Sequence, residues 1–75
     1  MTEDLTHILI FKTNITTFSE KLRVQKLFTD SGAIEDWHVD SEDVDRVLRV
    51  VSYELSAEEI IEMVSSIGLQ CYELE

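Results

Sequence analysis

The chain has 75 residues, 16 acidic and 6 basic, giving a formal net charge of −10, and 44% of it is apolar. That length allows one domain, residues 1–75, burying about 60% of the surface its unfolded chain exposes, and two glycines with no proline leave no flexible linker. The acidity, with Lys12, Lys21, Arg23, Lys26, Arg46 and Arg49 scattered along the chain, argues against nucleic acid and anionic membrane surfaces as partners.

Taken in chain order, His7 to Thr13 (HILIFKT) is β-branched and aromatic and predicts a first strand. It is apolar on both faces, Leu9 and Phe11 on one, Ile8 and Ile10 on the other, so the buried face stays open. Thr17 to about Ser31 predicts a helix, with Val24, Leu27 and Phe28 on one face and Gly32 as its left-handed stop. Glu35 to Val39 predicts a second strand with Trp37 and Val39 on one face, and residues 40–45 (DSEDVD) a polar hairpin turn. Arg46 to Tyr53 predicts a third strand. Ser56 to Ile67 predicts a second helix with an apolar face of Ile60, Ile61, Val64 and Ile67, ended by Gly68. Leu69 to Leu74 predicts a fourth strand. The order βαββαβ implies an α+β ferredoxin-like sandwich: a four-stranded antiparallel sheet, order 4-1-3-2, with both helices on one face. Many unrelated functions use that fold, so the role must come from side chains.

Cys71 is the only cysteine, which rules out an internal disulfide and fits a reducing compartment. Glu3 and Asp4 stand where a signal peptide would be positive, and the apolar run that follows is too short for a membrane span. The expectation is a cytoplasmic protein.

Both helices open on a capping box. Thr17-Phe18-Ser19-Glu20 and Ser56-Ala57-Glu58-Glu59 place a hydroxyl at the cap and a glutamate three residues on. Each cap contributes about 1 kcal/mol. Glu20 puts negative charge at the start of the first helix with no glycine-rich loop before it, which disfavours a phosphate site there.

Along nearly all of its apolar skeleton the chain resembles a heavy-metal-associated domain, the fold of copper chaperones and of the N-terminal modules of copper-transporting ATPases. The family carries a Met-Thr-Cys-x-x-Cys loop followed by Val-x-x-x-Leu. Here Ile15-Thr16-Thr17 stands for Met-Thr-Cys, Phe18-Ser19 are the spacers, Glu20 stands at the second cysteine, and Val24 and Phe28 continue the pattern. SAEEIIEMVSSIGLQCYEL resembles the family's second helix, its glycine turn and its last strand. Cu(I) calls for soft thiolate ligands, and Thr17 and Glu20 offer only hard oxygen. The resemblance therefore implies the fold without metal transfer at these positions, and no cofactor is expected.

Other constellations are weaker. His7 and Cys71 fall on neighbouring strands and are the first candidates for a metal site with non-standard ligands, with His38 too far along the sheet to join them. DSEDVD lacks the glycine and the ligand spacing of a calcium loop. Cys71 has no base in a recognisable motif, and a domain this small offers little concave pocket, so enzymatic activity is not expected.

Phe18 and Leu22 share a helix face at i, i+4, and Leu22 lies roughly 160° around the helix from Val24. They form either an exposed apolar patch on the surface where the family docks its partners, or a contact tucked against loop residues such as Ile15. The uncovered sheet face would carry Val47, Arg49 and Val51, and a contiguous apolar patch there would suggest an interface. The expected function is a non-catalytic protein-interaction module. Phe18 and Leu22 would serve as anchors, Glu20 would give electrostatic selectivity, and Val47, Arg49 and Val51 on the open sheet face would form a second surface, one open to a homodimer; the partner protein is unidentified. The alternatives are a metal-handling protein with non-standard ligands and a small-molecule-sensing regulatory domain.

Overall fold

In the computed structural model, which describes residues 8–40 and 42–74, the elements run β1 (Ile8–Thr13), α1 (Phe18–Ser31), β2 (Asp36–Asp40), β3 (Val47–Val51), α2 (Ala57–Ser66) and β4 (Cys71–Glu73). The four strands form one antiparallel sheet in the order β2-β3-β1-β4. This is the predicted 4-1-3-2 order read from the other edge, and the fold is the ferredoxin-like sandwich.

The register settles which face of β1 is buried. Phe11 is fully buried with Leu48, Val50, Val24, Phe28, Ile60 and Val64, and Leu9 packs against that core. Ile8 and Ile10 turn the other way and stand opposite Val51 and Arg49. The helices thus cover the Leu9/Phe11 side. The opposite side keeps Ile8, Ile10, Val47 and Val51 half-buried, with Arg49 exposed among them.

Both predicted capping boxes form, with Thr17 and Ser56 in extended backbone just before α1 and α2. Gly32 ends α1 at φ 70°, a conformation that costs a residue with a Cβ. Arg23 ties the helices together, its Nη1 donating to the Ile67 carbonyl at 2.8 Å, at the C-terminal end of α2.

The third strand is shorter than predicted at both ends, for identifiable reasons. Arg46 sits at φ 47°, outside the extended region. Its amide donates to the Asp43 carbonyl at 3.0 Å, and its own carbonyl accepts from the Thr13 hydroxyl at 2.6 Å. The first bond closes the hairpin turn on Arg46, and the second takes its carbonyl to a side chain of β1 in place of a ladder amide. At the other end the buried Ser52 hydroxyl donates to the Ala33 carbonyl at 2.7 Å and accepts the Leu55 amide at 3.1 Å. That turns the chain toward α2 one residue after Val51. The fourth strand likewise covers only Cys71–Glu73 of the predicted 69–74, although Leu74 still donates its amide to Ile10 at 2.8 Å.

Candidate functional site

The β1–α1 junction is built outward from a buried hinge. Ile15 is fully buried, and its amide donates to the Thr13 hydroxyl oxygen at 3.2 Å, fixing the exit from β1. The Asn14 side-chain oxygen accepts the Gln70 amide at 2.8 Å, pinning the loop to the segment before β4. The next residues, Thr16 to Ser19, face solvent.

One oxygen of Glu20 organises the helix start. Its Oε1 accepts from the Thr16 amide at 2.9 Å, the Thr17 amide at 2.9 Å and the Thr16 hydroxyl at 3.2 Å. In return the Glu20 amide donates to the Thr17 hydroxyl oxygen at 3.1 Å. The capping box was legible from Thr17 and Glu20; the contribution of Thr16 was not. The Thr16 and Thr17 amides, with help from both hydroxyls, hold the Glu20 carboxyl down at about 2, from a usual value of 4.5.

This shift carries a sign. A carboxyl depressed in the folded state stabilises the fold above its unfolded pKa and loses that contribution as pH falls through the folded value. Wild type is therefore expected to melt higher than Glu20→Gln at neutral pH, with the gap narrowing as pH falls from 4.5 toward 2. Thermal melts of the two proteins across that interval check it. A gap that does not vary with pH would contradict the role of the ionised carboxylate.

Phe18 and Leu22 are exposed, at 75% and 47%, so of the two arrangements open from sequence the outward-facing patch is the one that forms. Glu20 lies between them in sequence, and its carboxylate is turned back to the loop. Val47, Arg49 and Val51 lie on the uncovered sheet face, in β3 opposite Asp40, His38 and Asp36 of β2. The predicted residues thus divide between two surfaces, the start of α1 and the open sheet.

The junction does not suit Cu(I). Both candidate ligands at positions 17 and 20 are hard oxygens, and both are held in the cap. Cys71 is 4% exposed, and burial pushes its thiol up to about 12, so the thiolate a soft metal needs is strongly disfavoured. His7, its suggested companion, lies outside the described residues. His38 is on the sheet-edge strand β2. Among the described residues no group of three His, Cys, Asp or Glu side chains is placed to hold a metal, and no helix is long and apolar enough to cross a membrane.

No protein-family model matches the chain. No curated protein matches it either. Solved structures do. The copper(I)-loaded first domain of the human copper chaperone for SOD1, CCS, aligns at TM-score 0.74 and 23% identity over 88% of this chain and 89% of its own. The apo HMA (heavy-metal-associated) domain of a copper chaperone for superoxide dismutase aligns at TM-score 0.78 and 21% identity over all of this chain and 79% of its own. At that identity the likeness establishes the fold. The chain has the fold of a copper-chaperone heavy-metal-associated domain and, with Cys71 as its single cysteine, no Cys-x-x-Cys pair.

Proposed function

We propose that this protein is a non-catalytic, cytoplasmic interaction module that uses the start of α1 to dock a protein partner instead of holding a metal. The observation that carries the reading is the exposure of Phe18 and Leu22 beside a junction whose candidate ligand positions are both engaged in a helix cap. Apolar side chains presented together on a surface gain free energy when a partner removes them from water, and aromatic anchors commonly dominate such interfaces. Glu20 supplies negative charge beside the patch, its Oε1 held by three donors of the exposed loop, and is the source of electrostatic selectivity there. The uncovered sheet face, with Val47, Arg49 and Val51, is the second contact surface and the one suited to a second copy of the chain.

A photo-reactive benzoylphenylalanine placed at Phe18, with Val44 as the exposed control position, tests the reading in cells. A discrete protein adduct is expected from position 18 and not from position 44, which is 89% exposed in the hairpin. Binding of the purified partner should weaken by about tenfold or more in Phe18→Ala, within the range expected of an interface anchor. Identical adducts from both positions, no adduct from position 18, or unchanged affinity in a folded Phe18→Ala would each overturn it.

A further inference from the structure

The sheet face that carries no helix bears charges that complement one another. Ile8 stands opposite Val51 and Ile10 opposite Arg49, so β1 and β3 give this face an aliphatic floor interrupted by one guanidinium. At its edge β2 places Asp36 opposite Val51, His38 opposite Arg49 and Asp40 opposite Val47. Two carboxylates therefore flank the row that Arg49 occupies. The two cations of the face differ. Lys12 is paired with Asp45 at 3.6 Å. Arg49 is exposed, and among the described residues no carboxylate lies within ion-pair distance of it, although Asp36 and Asp40 are its diagonal neighbours in the sheet. Beside it His38, Asp40, Asp43, Val47 and Arg49 line a notch of about 410 Å³, open to the same side.

We infer that two copies of the chain pair through this face, with Arg49 of each copy set against Asp36 and Asp40 of the other. The inference rests on the open face being the second contact surface, and charge selects the register. Stacking β3 on β3 would oppose Arg49 to Arg49. Stacking β3 on β1 would bury Arg49 on Ile10 with no counter-charge, at a cost of several kcal/mol. Stacking β3 on β2 lays Arg49 over the His38 row with a carboxylate on either side, and a two-fold axis makes the same contact twice. Val47 and Val51, which flank Arg49 in β3, are covered with it. The overlap of two to three strands, about 4.8 Å apart and about 17 Å long, falls well short of the roughly 800 Å² per partner of a stable interface. A net charge of −10 on each copy also opposes approach. The dimer is therefore a weak one, formed at high micromolar concentration.

Sedimentation equilibrium of the full chain from about 20 µM to about 1 mM, under reducing conditions, reads the association. Wild type is expected to show a reversible monomer–dimer equilibrium. Arg49→Glu, and separately Asp36→Lys/Asp40→Lys, should each weaken it by about tenfold or more, because each sets like charges together at both contacts. An equimolar mixture of the two variants should dimerise about as well as wild type, since both contacts then join opposite charges. Both variants remain net negative, so bulk attraction cannot mimic that rescue. Asp40→Lys alone gives the second reading should the double variant fail to fold. Phe18→Ala should dimerise as wild type does; loss of association there, with Arg49→Glu unaffected, would assign self-association to α1 and overturn the sheet contact. A wild type still monomeric at the highest concentration, folded variants that associate like wild type, or a mixture that stays monomeric would each overturn it too. Capture of another protein at Phe18 is read separately by cross-linking, so either proposal can fail alone.

Discussion

Phe11→Ala is expected to remove about 3–5 kcal/mol of stability, the usual cost of emptying a buried aromatic site. A 75-residue domain has roughly 4–11 kcal/mol in total, so the variant loses a large share of its stability and reaches its unfolding midpoint at 25 °C if wild type lies at the lower end of that range. The effect is large because Phe11 is fully buried at the centre of the molecule. It lies in β1, which pairs with β3 on one side and β4 on the other, opposite Leu48 and Glu73. Its ring contributes to the single core under both helices, and close-packed surroundings collapse only partly around the hole. Urea unfolding followed by circular dichroism measures the loss. Val44→Ala, at an 89% exposed hairpin position, should stay within about 0.5 kcal/mol of wild type. A loss of under about 1 kcal/mol for Phe11→Ala would mean that the β1 face assigned to the core is wrong.

That face assignment is where the sequence was silent, and the reason is visible in β1. Strand faces are read from alternation, but Leu9 and Phe11 alternate with Ile8 and Ile10, so both faces look buried. Only the pairing of Ile8 with Val51 and Ile10 with Arg49 separates them, and that register depends on β3, about 40 residues away. The helices were legible for the opposite reason. Thr17, Glu20, Ser56 and Glu59 fix their starts through contacts three residues apart, and Gly32 and Gly68 mark the turns that follow them. Ser52 looked like part of a strand because its partner, the Ala33 carbonyl, is 19 residues away. Arg46 looked like strand because nothing local betrays a positive φ at a residue with a long side chain. At the candidate site, the angular offset between Leu22 and Val24 forced two stripes on α1, but it could not say whether Phe18 folds back on Ile15. The burial of Ile15 and the outward turn of Phe18 required the whole loop.

Thr17→Cys/Glu20→Cys is expected to create tight Cu(I) binding, and wild type is expected to bind no more tightly than micromolar. The wild-type donors at these positions are oxygens, and Cu(I) prefers thiolates by orders of magnitude in affinity. The backbone that would present the new thiolates is already in place. The Ile15 amide bond to Thr13 and the Asn14 bond to Gln70 hold the loop, and neither uses residue 17 or 20. The start of α1 also favours a thiolate near its free amides. The double change has a cost, because it removes both halves of the capping box. The metal-free variant should therefore lose about 1 kcal/mol or more and melt lower than wild type, and Cu(I) should return that stability and add to it through linkage. Titration under reducing conditions against a competing Cu(I) chelator gives the affinity, and melts with and without metal give the linkage. Thr17→Ala/Glu20→Ala separates the two effects, losing the cap without gaining thiolates. If the double cysteine variant folds and still binds no tighter than wild type, the junction lacks the geometry its fold implies. If wild type itself binds Cu(I) stoichiometrically and tightly, the oxygen-capped junction does not decide its chemistry, and the docking role proposed for Phe18 and Leu22 loses its main support.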